Sequence, residues 1–268
     1  MPNIAWLTDI HLDFLNADGF LAFMDEVCSA NPDAIVISGD IAEGQTLPDI
    51  LKLLAHRWQR PIYFVLGNHD FYSRSIDSVR ARMASLTAKT SFIRWLPEVG
   101  VMPLSPTTAL LGHDAWADGG YGYFMRSTVD LNDYHYIEDF KGLSRDDLLE
   151  KLQLLGQEAA DYLARALPPA CINFSDIYLV MHPPPFRETV LVKGKPARND
   201  NAFLPHMGCK AVGDLLLELA PQYPDTNITV LCGHTHSKGE VHVYENLRVL
   251  VGQATYRIPG INRMIEIN

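Results

Sequence analysis

Seven side chains of metal-ligand type recur in short clusters along the 268-residue chain. They are Asp9 with His11, Asp40 after Gly39, Asn68 after Gly67, His182, and His234 with His236 after Gly233. Together they offer carboxylate, amide and imidazole ligands and no thiolate, a mixture that suits Mn, Fe, Zn, Ni or Co better than Mg alone. Seven ligands are too many for one tetrahedral ion, but enough for two neighbouring ions if a carboxylate bridges them. Two metals about 3.5–4 Å apart lower the pKa of a water between them towards neutrality, so the chemistry such a set serves is hydrolysis by activated hydroxide. In an extended segment, residues two apart project to one side, which lets Asp9 with His11, and His234 with His236, each present two ligands to one region.

The elements that must position these residues are legible as short apolar runs between amphipathic patterns. Strands are predicted at Ile4–Thr8, Ala34–Ser38, Ile62–Leu66, Ala109–Leu111, Ile177–Met181 and Thr229–Cys232, each rich in Ile, Val, Leu or Tyr and bounded by Gly, Pro or Asp. Helices are predicted at Ala17–Ala30, where Phe20, Phe23, Met24, Val27 and Cys28 share a face, at Leu47–Trp58 and at Ile76–Leu86. Ser144 caps a long helix running through Leu167, which Pro168 and Pro169 stop. The tail, Glu240–Gly252, alternates as a hairpin about Glu245-Asn246. There is no internal repeat, low-complexity tract or linker, so residues 1–268 read as one α/β domain. Four predicted strands end in Gly followed by polar residues: SGD at 38–40, GNHD at 67–70, GHD at 112–114 and GHTH at 233–236. Ligands of open α/β sheets bind beyond the carboxyl ends of the strands, so these clusters are expected to converge.

The ordered series D-x-H, G-D, G-N-H-D, H, G-H-x-H, spanning positions 9 to 236, resembles the calcineurin-like metallophosphoesterase superfamily. The resemblance implies a sandwich of two mixed β-sheets flanked by helices, with a dimetal centre at one end. It implies that Asp9, His11 and His236 hold one ion, that Asn68, His182 and His234 hold the other, and that Asp40 bridges. His69 would contact the phosphoryl group or protonate the leaving group without ligating a metal, with Asp70 setting its tautomer and orientation. General acid help of that kind is worth about 10²–10⁴-fold. The activity implied is metal-dependent hydrolysis of a phosphate ester. Ser/Thr protein phosphatases of the superfamily carry G-D-x-x-D-R-G and G-N-H-E, whereas this chain has Gly39-Asp40-Ile41-Ala42-Glu43-Gly44 and G-N-H-D, which puts a phosphoprotein substrate in doubt. A small phosphodiester is the leading reading. A phosphomonoesterase for nucleotides or sugar phosphates, and a non-catalytic scaffold that kept the fold, are the alternatives.

Composition narrows the partners. Hydrophobic residues make up 47% and charged residues 20%, the balance of a globular chain rather than a disordered one. Lys and Arg number 22 against 32 Asp and Glu, a net charge of −10 that disfavours a long duplex nucleic acid and leaves room for a small phosphate ester at a local positive centre. No apolar stretch is long enough for a membrane helix, no basic leader precedes the first strand, and the four cysteines form no C-x-x-C. A soluble, cytoplasmic protein is the expectation; oligomeric state is left open.

Several residues admit two readings. His113 follows a strand-end glycine and either lines the pocket or packs beneath a loop. Segment 114–140 is dense in aromatics, including Trp116 and Tyr123, and forms either a lid over the metals or an irregular cover for a sheet edge. Arg126, Arg187, Lys193, Lys195 and Arg198 are candidate phosphate contacts, although the last four read better as a solvated basic loop. His206 and Lys210 are read as a substrate-side loop or as structural; His56 as a surface or capping residue; His242 as structural; Cys232 as a buried strand residue; and Pro183-Pro184-Pro185 as a stiff turn after His182.

Overall fold

Strands buried on both faces are what the continuous apolar runs produce. The first four, β1 (Asn3–Leu7), β2 (Ala34–Ser38), β3 (Ile62–Val65) and β4 (Ile93–Trp95), lie side by side in parallel. A second sheet takes β5 (Met102–Pro103), β6 (Thr108–Gly112) and β7 (Asp176–Val180). After a small antiparallel pair, β8 (Leu191–Val192) and β9 (Lys195–Pro196), the chain adds β10 (Asn227–Cys232), β11 (Gly239–Tyr244) and β12 (Leu247–Val251) to that second sheet. The last strand, β13 (Arg263–Glu266), returns to pair antiparallel with β1. The sheet orders are β13-β1-β2-β3-β4 and β11-β12-β10-β7-β6-β5, and both sheets mix parallel and antiparallel pairs. The computed structural model describes residues 2–192 and 195–268, so Lys193, one of the basic candidates, lies outside the described residues.

Period-two alternation divides each strand between two cores. In β2, Ile35 and Ile37 face a layer of helices, while Val36 faces the other sheet with Trp6, Leu110, Val180, Leu231 and Leu250. The helices α1 (Ala17–Ala30), α2 (Leu47–Trp58) and α3 (Ile76–Lys89) cover the first sheet. Two single turns follow, α4 (Leu96–Val99) and α5 (Asp133–Tyr136). Then α6 (Arg145–Asn173) and α7 (Lys210–Leu219) cover the second sheet with Leu163, Leu167, Val212 and Leu216. The result is the expected sandwich of two mixed sheets flanked by helices. Among the described residues, no helix is long and apolar enough to cross a membrane. The loops leaving β1, β2, β3, β7 and β10 carry the candidate ligands, and these strands pair in parallel, so the loops emerge at the same end of the sheets.

Expected boundaries shift by up to three residues at several elements and by six at the end of α6. Ser144 does cap α6, accepting from the Asp147 amide at 3.2 Å, but the helix runs through Pro168 and Pro169 to Asn173. Proline removes a helical donor and crowds the preceding turn. Burial of Leu167, Ala170 and Cys171 against the second sheet outweighs that local cost. Pro169 is exposed, so Pro169→Ala would restore the missing bond without disturbing the core. The expected result is a gain of about 1–2 kcal/mol, seen as a higher urea midpoint with an unchanged slope. A lower midpoint would show that the proline ring itself supports the packing.

Candidate metal centre

The backbone at the centre is left-handed where the ligands sit. Asp9, His11, Asp40, His234 and His236 have φ values of 49°, 39°, 52°, 67° and 54°. The extended geometry expected for the D-x-H and H-x-H pairs is therefore incorrect: each chain folds back on leaving its strand, and this turn, not strand pleating, aims both side chains inward. Such conformations cost non-glycine residues about 1–2 kcal/mol each. Cross-loop bonds hold them: the Asp9 amide donates to the Gly39 carbonyl at 3.0 Å, the His11 amide to the Asp40 carbonyl at 3.0 Å, and the His234 amide to Asp9 Oδ1 at 3.0 Å. The flanking glycines answer a need for space. A Cβ on Gly67 would stand 2.2 Å from Asp40 Oδ1, and one on Gly233 would stand 2.0 Å from Asp9 Oδ2.

The structure brings all seven candidates into two adjoining groups. Asp9, His11, Asp40 and His236 each offer an atom within 4.8 Å of the others. His11 Nε2 is 3.3 Å from His236 Nε2, and His236 Nε2 is 3.3 Å from Asp9 Oδ1. On the other side, Asn68 Oδ1 lies 3.1 Å from His182 Nε2 and 3.0 Å from His234 Nδ1. Asp40 stands between them, with Oδ2 3.6 Å from His11 Nε2 and Oδ1 3.5 Å from His182 Nε2.

This donor set fits two cations. His182 Nδ1 faces the Ser38 carbonyl at 2.8 Å, and His234 Nε2 faces the His206 carbonyl at 2.9 Å. With a hydrogen on that nitrogen, each ring turns the other towards Asn68 Oδ1, itself an acceptor. The three are satisfied by positive charge among them, from a bound cation or from a second proton on His182. Burial opposes charge on Asp40, but His182, His69 and His11 outweigh it and hold its carboxyl well below the usual range. Burial likewise disfavours a charged His182, yet Asp40 and Asp9 raise it to about 10. Burial drives His11 down to about 4, which keeps that imidazole neutral and able to ligate. The carboxylates thus draw in positive charge wherever they can find it, and bound metal ions would supply it.

A carboxylate missed by sequence reasoning orients Asn68. The Asn68 amide nitrogen donates to Asp133 Oδ1 at 2.9 Å, and the Tyr72 hydroxyl donates to the same oxygen at 2.7 Å. With its nitrogen engaged, Asn68 must turn its oxygen to His182 and His234. Asp133 sits in the aromatic segment with no telling spacing; a buried carboxylate amid tyrosines was its only signal. His206 proves to be a support, its ring between Tyr134 and Ser127 and its carbonyl on His234.

The role expected for Asp70 is corrected. Its Oδ1 accepts from the Ile41 and Ala42 amides at 2.8 and 3.0 Å, and its Oδ2 from the Gly67 amide at 2.8 Å. It clamps the Asp40 loop to the Asn68 loop and forms no bond to the His69 ring. The cause is local: residues 69–71 form a 3₁₀ turn, which sends consecutive side chains about 120° apart. His69 is instead stacked on Tyr72, with centroids 4.4 Å apart, and meets His11 edge-on at 4.6 Å.

The substrate-side candidates scatter. His113 is buried against Tyr162 and accepts from the Ala115 amide, and burial, then Arg80, lowers it to about 3, so it packs under the loop rather than lining the centre. Trp116 does border the narrow cavity beside Asn68, His182 and His234, but it is buried between Phe71 and Phe140. Tyr123 and Arg126 stack on each other outside that cavity. Arg187 pairs with Glu188 and Arg198 with Asp200, while Lys195 is exposed. Segment 114–140 therefore borders the Asn68 side as a packed wall, through Trp116, Leu131, Asp133 and Tyr134. Removing an outer partner of a ligand typically lowers metal affinity about 10–100-fold. Asp133→Ala is expected to do so for one ion of two, read by titrating metal into the stripped protein; two unchanged affinities would deny Asp133 this function.

The profile of the calcineurin-like phosphoesterase family matches residues 2–238. No curated protein sequence matches the chain. Among solved structures, a phosphopantetheinyl hydrolase from Mycobacterium tuberculosis aligns with TM-score 0.66 and 17% identity, covering 96% of this chain and 90% of that one. A dimetal phosphatase from Danio rerio aligns with TM-score 0.61 and 12% identity, covering 96% and 89%. At these identities the likeness is one of fold. The family match extends over all five ligand clusters, and by it the chain belongs to the calcineurin-like phosphoesterases and is a metal-binding hydrolase.

Proposed function

We propose that the protein hydrolyses a small phosphodiester at a two-metal centre held by Asp9, His11, Asp40, Asn68, His182, His234 and His236. The observation that carries the diester reading is the kind of cation around the centre. Every ion-pairing partner of Asp9 and Asp40 among the described residues is a histidine, with no guanidinium or ammonium group. A diester carries a single negative charge and asks for less positive charge than the dianion of a monoester. A phosphomonoester of nucleotide or sugar type remains the second reading, because the core ligands serve both.

Bound metal ions would polarise the phosphoryl oxygens and lower the pKa of water towards neutrality. Asp40 would keep the two ions at a fixed spacing, and Asp133 would hold Asn68 in its ligating orientation. His69 stands beside His11 and is kept in place by Tyr72, where its ring can give a proton to the departing oxygen. The carboxylate, amide and imidazole ligands suit Mn, Fe, Zn, Ni or Co, and geometry and metal supply select among these.

The first test is hydrolysis of bis-p-nitrophenyl phosphate beside p-nitrophenyl phosphate with Mn²⁺ supplied. Preference for the diester is expected, with activity lost to a chelator and nearly absent in Asp40→Asn; preference for the monoester would replace the leading reading with the second. His69→Ala is expected to keep its metal content yet lose about 10²–10⁴-fold in rate, most for poor leaving groups. An equal loss for good and poor leaving groups would remove the proton-donor role from His69.

A further inference from the structure

The centre is walled on one side and open on the other. Beside Asn68, His182 and His234, the bordering Trp116, Tyr134 and Ala115 are buried in the protein. Beside His11 and His236, two rings keep much of their surface in solvent, Phe14 at 40% and Tyr256 at 46% exposure. The Tyr256 centroid is 4.6 Å from that of His11, 5.0 Å from His236, 5.2 Å from Phe14 and 6.3 Å from His69. Phe14 in turn meets His11 edge-on at 5.8 Å. Tyr256 therefore adjoins both a proposed metal group and the proposed proton donor, and Phe14 adjoins the same metal group through His11.

The strand of chain that carries Tyr256 is tied down. The Ala254 amide donates to the His236 carbonyl at 3.3 Å, the Gln253 amide to Asn262 Oδ1 at 2.8 Å, and the Ile258 amide to the Thr255 carbonyl at 3.0 Å. Asn262 in turn donates its amide to the Trp6 carbonyl in β1, so the loop is anchored to the sheet that carries Asp9. The two rings touch, so they form a contiguous aromatic surface beside the centre rather than singly exposed side chains.

We infer that Phe14 and Tyr256 form a subsite that stacks a planar ring of the ester's organic group, on the His11 and His236 side of the centre. This deepens the phosphodiester reading and rests on it for the identity of the group bound. The two rings are inclined at 63°, so a planar group lying on the Tyr256 face meets Phe14 at its edge, the offset and edge-on contacts that aromatic rings favour.

The test is calorimetric titration of the metal-loaded protein with phenylphosphonate and with cyclohexylphosphonate, which match in size and differ in planarity. Phenylphosphonate is expected to bind about two- to tenfold tighter. Tyr256→Ala should bring the ratio to about one, while Tyr256→Phe, which keeps the ring, should preserve it. Equal binding of the two ligands by the unaltered protein would overturn the subsite. So would a preference that survives Tyr256→Ala, or loss of bound metal from that variant, which would make Tyr256 a support for His11 and His236 instead. Neither ligand is a hydrolysable ester, so failure of the diester assay with the ring preference intact would reject the function and leave the subsite standing.

Discussion

The structure depends on keeping the carboxylate of Asp40 out of water between two groups of imidazoles. Asp40 is 2% exposed, and an isolated carboxylate at that depth would be neutralised or expelled. It remains an anion because the His69 amide donates to it at 2.9 Å and because histidines from three other loops face it. His11 and His182 are buried too, held there by the left-handed turn at His11 and by the Ser38 carbonyl on His182. The fold is largely the means of bringing these mutually dependent groups together at one end of two sheets.

Much of this was legible because the constraints are local in type even where they are distant in sequence. The strands read as apolar runs because both faces are covered, as Ile35, Val36 and Ile37 illustrate. The ligands read as ligands because few other arrangements place Asp and His after glycines at the ends of several strands. The glycines themselves signal crowding, which the approach of Asp9 to Gly233 makes concrete.

What the sequence concealed was direction. The family resemblance implied that Asp70 orients His69, but a 3₁₀ turn points them apart and gives Asp70 to three backbone amides. Asp133 and Tyr256 lie in segments with no repeating pattern, and only the folded chain shows one behind Asn68 and the other over His11. The aromatic density of 114–140 was visible, yet Trp116, Phe124 and Phe140 turn inward to pack and are not available to a ligand. Pro168 and Pro169 misled for the complementary reason: their local preference is real, and tertiary packing overrides it.

The pairing of β1 with β13 has a consequence for how the molecule comes into being. During synthesis Asp9 and His11 emerge early, while His236, the anchoring Asn262 and the edge strand beside β1 are still unmade. Contacts of such long separation close late, after large loops have been drawn in. A nascent chain can therefore display a pair of ligands but not a finished centre, and metal capture is deferred until the two ends of the fold have met.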